Sequence, residues 1–162
     1  MPKQAPITLK VGDAAPEFSA LDQAGEEVSL KQFRGDYVLL YFYPKDNTPG
    51  CTKEACSFRD LSASFKKKKV RVLGVSADSV KSHEKFAKKF NLPFPLLADT
   101  EKEIVQSYGV WGEKSFMGRT FDGIHRASFL IDPKGKIAFI WPKVKAEQHP
   151  AEVLSHLEST AP

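Results

Sequence analysis

Two cysteines, Cys51 and Cys56, are the only sulfur nucleophiles in the chain, and both lie in the stretch YPKDNTPGCTKEAC, residues 43–56. Two cysteines five residues apart can serve as inert core positions, as metal ligands or as a redox pair. Pro44, Pro49 and Gly50 mark a turn just before Cys51, and Ala55, Phe58, Leu61 and Phe65 then recur at helical spacing. Cys51 therefore falls in the first turn of a helix, where unpaired N–H groups and the positive end of the helix dipole stabilise a thiolate over a thiol. Gly50 permits a tight turn and leaves room for a small molecule. Thr48, three residues earlier, can donate to the sulfur or accept a proton from a peroxide. Pro44 and Pro49 stiffen the loop and shield the sulfur from bulk water.

The spacing to Cys56 is awkward for a static bridge. Five residues of helix separate two Cα atoms by roughly 8.6 Å, whereas a disulfide needs less than about 7 Å. A Cys51–Cys56 bond therefore requires the first turns of the helix to unwind, which suits a reaction cycle better than a permanent staple. Buried packing beside Phe58 is the other reading for Cys56. Zinc ligation is a weaker one, because His83, His125, His149 and His156 form no close pair, and His83 reads as part of a lysine-rich surface face. A positive charge to complete a thiolate site has to come from elsewhere. Arg126 opens the apolar run RASFLID and points either into a site or out of a sheet edge.

The elements that must hold these residues follow from pattern. Residues 15–30 alternate about Ala24-Gly25 as a β-hairpin does. YVLLYFYP (37–44) and VRVLGVSAD (70–78) are continuous apolar runs, the pattern of strands buried on both faces. Helices are expected from Thr52, after Ser79, over 101–108 and from Ala146 to Glu158. A short strand is expected within 92–99, and a hairpin joins RASFLID to KIAFIW through Pro133-Lys134-Gly135. The order predicts an α/β protein with a thioredoxin-like fold, a central mixed sheet flanked by helices and an N-terminal β-hairpin. One domain over residues 1–162 accommodates it, with about the first ten residues as a flexible lead-in.

Composition excludes several function classes. The net charge is +4, and its obvious basic run, Lys66 to Lys69, carries no interleaved aromatic residues and reads as the solvated end of a helix. No nucleic-acid partner is expected, and no membrane span or signal peptide is visible. The expected location is cytoplasmic, where thiols stay reduced.

Beyond these physical readings, YPKDNTPGCTKEAC matches the pattern proline, three residues, threonine or serine, two residues, cysteine. It resembles the peroxiredoxins, and with a second cysteine five residues on it is similar to their bacterioferritin comigratory protein or peroxiredoxin Q group. Residues 109–137, GVWGEKSFMGRTFDGIHRASFLIDPKGKI, and the opening VGDAAPEFSALDQAGEEVSLKQFRG resemble the same group. The resemblance implies a thiol-dependent peroxidase acting on hydrogen peroxide and organic hydroperoxides. It implies that Cys51 is the peroxidatic cysteine and Cys56 the resolving one, that Thr48 and Arg126 orient the peroxide, and that Pro44 shapes the pocket. Thioredoxin or another dithiol would be the reductant, no cofactor or metal is needed, and a monomer is implied. Two other uses of the cysteines remain to be weighed. A redox sensor or holdase would oxidise without efficient turnover, and a thioredoxin-type oxidoreductase is opposed by the lack of a two-residue gap between the sulfurs.

Overall fold

The computed structural model describes residues 7–160. Tyr37–Phe42 forms strand β3, placed by its apolar run at the centre of a five-stranded mixed sheet. It pairs in parallel with β4 (Val70–Ser76) and antiparallel with β8 (Ala127–Ile131). Strand β5 (Leu96–Ala98) lies outside β4 and β9 (Ile137–Trp141) outside β8, giving the order β5-β4-β3-β8-β9.

Alternate residues of β3 serve two cores. Val38, Leu40 and Phe42 join a cluster with Leu73, Val75, Tyr108, Phe129 and Ile131. Leu39 and Tyr41, with Tyr43 just beyond the strand, face the other way, into a cluster with Cys51, Ala55, Phe58, Phe86 and Val153. The second face is covered by α1 (Pro49–Asp60), α2 (Ser62–Lys67), α3 (Val80–Phe90) and α5 (His149–Thr160). The first face takes α4 (Glu103–Ser107) and the N-terminal hairpin of β1 (Ser19–Leu21) and β2 (Glu27–Ser29). Fully burying side chains of this size contributes about 1.5–3 kcal/mol each.

The short strand expected within 92–99 is β5, and Pro93 and Pro95 stand before it because they cannot donate to a ladder, although the Pro95 carbonyl accepts from Gly74. Two details depart from the sequence pattern. The apolar spacing that joins Ala55 to Phe65 runs through a break at Leu61, where α1 ends and α2 begins. A further antiparallel hairpin, β6 (Trp111–Phe116) and β7 (Arg119–Ile124), stands outside the main sheet. Its turn, Met117-Gly118, has positive φ at both residues, as a tight hairpin turn requires.

Of the lead-in, residues 1–6 lie outside the described ones, while Ile7 and Leu9 pack against the first core cluster. The lysine run closes α2, with Lys66 and Lys67 in its last turn, as a solvated helix end should. Among the described residues no helix is long and apolar enough to cross a membrane.

Candidate active site

Helix α1 begins at Pro49, three residues earlier than the apolar spacing alone suggests, so that proline occupies a position where its missing N–H costs nothing. Cys51 is then the third helical residue, and it is 2% exposed. Thr48 occupies the cap position, and its carbonyl accepts the first helical bond from Thr52 at 2.8 Å. Its hydroxyl does not turn back to the helix. It donates to the Lys45 carbonyl at 2.8 Å, which fastens the loop and leaves the hydroxyl oxygen's lone pairs for a donor outside the protein. Pro44 lies half-buried at the start of that loop, directly after the buried Tyr43.

Arg126 resolves the choice between site and sheet edge. It enters β8, which pairs with β3 immediately beside the start of α1, and its Nη2 donates to Cys51 Sγ at 3.3 Å. Its Nη1 donates to Glu54 Oε1 at 2.6 Å. Gly50 makes this approach possible, since a Cβ there would sit 3.2 Å from Arg126 Nη2. The space that Gly50 leaves lies against the guanidinium. Burial works against the Arg126 charge, but Glu54 and Cys51 outweigh it and hold the proton more tightly than in an ordinary arginine. The opposite balance holds for Glu54. Burial pushes its carboxyl up to about 7, although the Arg126 guanidinium pulls it down. A buried sulfur at a helix start, hydrogen-bonded by a cation, is an arrangement that activates a thiol as nucleophile.

Cys56 lies in the same helix, half-buried and not bonded to Cys51. Both cysteines are within the continuous span Pro49–Asp60, so the separation expected from helical spacing stands.

Comparison with known proteins gives the family. The AhpC/TSA family model matches residues 11–140. Peroxiredoxin Bcp of Escherichia coli is 51% identical over 153 residues, covering 94% of this chain and 98% of that protein. Peroxiredoxin Bcp of Bacillus subtilis is 45% identical over 152 residues, covering 94% and 97%. The chain belongs to the AhpC/TSA family, in its peroxiredoxin Bcp and Q group. The crystal structure of a cysteine-to-serine mutant of Xylella fastidiosa PrxQ superposes with a TM-score of 0.90 at 35% identity, covering 95% of this chain and 98% of that one. A bacterioferritin comigratory protein of Xanthomonas campestris, studied for its alkyl peroxide reduction activity, gives 0.87 at 36% identity, covering 96% and 99%. The thioredoxin-like fold expected from the element order is therefore the fold of this peroxiredoxin, and the chain is a thiol-dependent peroxidase.

Sequence reasoning passed over three groups around the peroxiredoxin cysteine. Glu54 is buried beneath α1, and its Oε2 has no hydrogen-bond partner among the described residues. The hydroxyl of Tyr41, on β3 beneath the same helix, is likewise unpartnered. Burial first, and Glu54 next, raise Tyr41 well above the ordinary tyrosine range. Lys114 reaches from β6 to donate to the Ile124 carbonyl at 2.8 Å, two residues before Arg126. A charged residue three positions after Cys51, on the helix face that carries Phe58 one turn later, was the available signal for Glu54.

His83 corrects an expectation. It is fully buried rather than part of a lysine-rich surface. The α3 register turns it inward with Phe86 and Ala87, while the neighbouring lysines face out. Its Nδ1 bonds Asp46 Oδ2 at 2.7 Å, and its Nε2 bonds the Leu97 carbonyl at 3.0 Å. The Tyr43 hydroxyl donates to Asp46 Oδ1 at 2.6 Å, and the Asp46 amide donates to Asp78 at 2.8 Å. Asp46, Asp78 and His83 are close enough to surround a cation. With both ring nitrogens and both Asp46 oxygens already bonded, they instead clamp the loop that precedes Thr48 onto β4 and α3.

Proposed function

We propose that Cys51 is the peroxidatic cysteine of a cycle in which Cys56 resolves the oxidised sulfur. The observation that carries this reading is the Arg126 guanidinium donating to Cys51 Sγ at a helix start. The thiolate of Cys51 attacks one oxygen of a hydroperoxide, the O–O bond breaks, and the sulfur becomes a sulfenic acid. The electron pair of that bond leaves on the distal fragment, which takes a proton and departs as water or an alcohol. Arg126 and the helix-start N–H groups stabilise charge as it moves onto the leaving oxygen. Thr48 accepts a hydrogen bond from the bound peroxide, and Pro44 shapes the pocket around it.

Resolution follows by local unwinding of α1. The Cys56 thiol attacks the sulfenic sulfur, the S–O bond breaks, and water leaves with formation of a Cys51–Cys56 disulfide. A dithiol then exchanges with that disulfide, restoring both thiols and leaving its own sulfurs oxidised. Thioredoxin is the reductant we assign, and we read the protein as a monomeric, cytoplasmic single domain over residues 1–162. Neither nucleic acid nor a membrane enters the cycle. No metal or organic cofactor enters it either, since the sulfurs exchange electrons directly with peroxide and reductant.

The test is turnover. With thioredoxin and its reductase supplying electrons, wild-type protein should consume many equivalents of hydrogen peroxide, and Cys51→Ser should consume none above background. Full activity in Cys51→Ser would overturn the assignment. Oxidation of wild type that stops after one equivalent would favour the sensor or holdase role instead.

A further inference from the structure

Glu54 stands between the two cysteines, on the stretch of α1 that the proposed cycle has to unwind. Its side chain is fully buried, with Oε1 on Arg126 at 2.6 Å and Oε2 facing no partner. Below it the Tyr41 ring stacks on Phe58, one turn along α1, with centroids 4.6 Å apart, and the Tyr41 hydroxyl is the other unpartnered atom of this layer. When residues 51–56 leave the helix, Glu54 goes with them, gives up Arg126 and enters water.

We propose that Glu54 is the latch of this unwinding: neutral, it holds α1 folded over the oxidised cysteine, and ionised, it favours the unwound state in which Cys56 reaches Cys51. The inference rests on the resolving role of Cys56. A neutral carboxyl keeps one oxygen as acceptor for Arg126 and leaves no charge on the buried Oε2, which no donor reaches among the described residues. A carboxylate keeps a buried charge that water would solvate better.

The sign follows from linkage. In the folded helix the carboxyl titrates at about 7 against an ordinary 4.5, so the folded form binds the proton more tightly. Its hold on α1 is complete below the ordinary value and is lost as pH rises to about 7, with no further change above. Arg126 from the entry to β8 and Tyr41 from β3 face this carboxyl, and Cys51 of α1 itself faces Arg126. Lys114 on β6 and His149 at the start of α5 act on the same site through Arg126.

The test compares Cys51→Ser with the double variant that adds Glu54→Gln, a background that removes the sulfur's own ionisation. Glutamine mimics the neutral carboxyl, donor and acceptor together, and leaves Lys114 and His149 unchanged. Hydrogen exchange at the amides of residues 52–56 is followed from pH 5 to 8 and corrected for intrinsic exchange, with α3 amides as reference. Protection with Glu54 present should fall by at least about tenfold over this range, within a ceiling of roughly 70-fold set by the two titration points. Protection in the double variant should stay flat, and at pH 8 it should exceed that of its parent. In the Cys51 enzyme, E54Q should form the disulfide more slowly at pH 7.5 and accumulate more sulfinic acid.

Equal pH slopes in the two proteins, with the wild-type disulfide still forming, would overturn the latch and leave the cycle intact. Absence of any Cys51–Cys56 disulfide in wild type would remove the cycle itself. Should the glutamine variant fold poorly, Glu54→Ala in the same background provides the second reading. It leaves no carboxyl to titrate, so protection at residues 52–56 should be flat with pH; a slope equal to that of the parent would count against the latch.

Discussion

Arg126 bonds two atoms at once, the sulfur of Cys51 and a carboxylate oxygen of Glu54. Lysine keeps the charge but has no planar fork, so it cannot hold both positions in one geometry. Arg126→Lys should lower kcat/KM for hydrogen peroxide by about 100- to 1,000-fold, the range typical of losing a donor to developing negative charge. Stopped-flow measurement of peroxide reduction checks this, and a loss below threefold would mean that Arg126 supplies only bulk charge. The sequence made Cys51 legible because a turn before it and a helix after it fix its place. Arg126 could be named but not placed, since a residue opening an apolar strand faces either side until the register of β8 on β3 is known. Glu54 was missed for another reason. Its place on the helix face of Cys51 and Phe58 was legible, but a glutamate in a polar helical stretch reads as solvated until the packing of α1 on Tyr41 shows that it is buried.

Elements position that site through a few close approaches. Gly74, in the middle of β4, leaves space for the Tyr41 ring: a Cβ there would lie 2.9 Å from Tyr41 Cζ and 2.9 Å from Leu96 Cδ2. Gly74→Ala should therefore cost about 1–3 kcal/mol through overpacking. It would appear as a lower denaturant midpoint with an unchanged m value, and an unchanged midpoint would mean that the Tyr41 layer can shift. Strands β3, β4, β8 and β9 were legible because apolar runs bounded by proline, glycine and charge leave few other choices. Hairpin β6–β7 was not. Phe116, Met117 and Phe121 are all exposed, so no buried face imprints a period of two on the sequence, and the turn is Met-Gly rather than Asn-Gly. The break at Leu61 left no trace either, since the apolar spacing runs on through it.

At the scale of the whole molecule the two core clusters share β3 and β8, so the sheet cannot unfold on one face alone. One cooperative transition is expected. A buried histidine sets part of its pH dependence. His149 bonds Ser128 Oγ at 2.7 Å and Glu152 at 3.0 Å, and it packs edge-on against Phe58 and Trp141. Burial pulls it below the ordinary histidine value of 6.5, with Glu152 opposing. Its contribution is thus present above that value and lost as pH falls below it, because the unfolded chain takes up the proton more readily. Glu54 acts in the opposite sense, stabilising the fold as pH falls from about 7 towards 4.5. Comparing wild type with His149→Gln by denaturant unfolding between pH 7 and pH 5 isolates the histidine. The wild type should lose more stability over this interval than the variant, and parallel curves would show that His149 keeps its charge state on unfolding.

The most direct test of the account uses the two sulfurs themselves. Reduced protein is given one equivalent of hydrogen peroxide, quenched at intervals, and mapped by intact mass and peptide digestion. The account predicts a transient gain of one oxygen on Cys51, followed by a product two hydrogens lighter than the starting protein and linked between Cys51 and Cys56. A stable sulfenic or sulfinic acid on Cys51 beside a free Cys56 would contradict the resolving step, and no reaction at either sulfur would contradict the peroxidatic one.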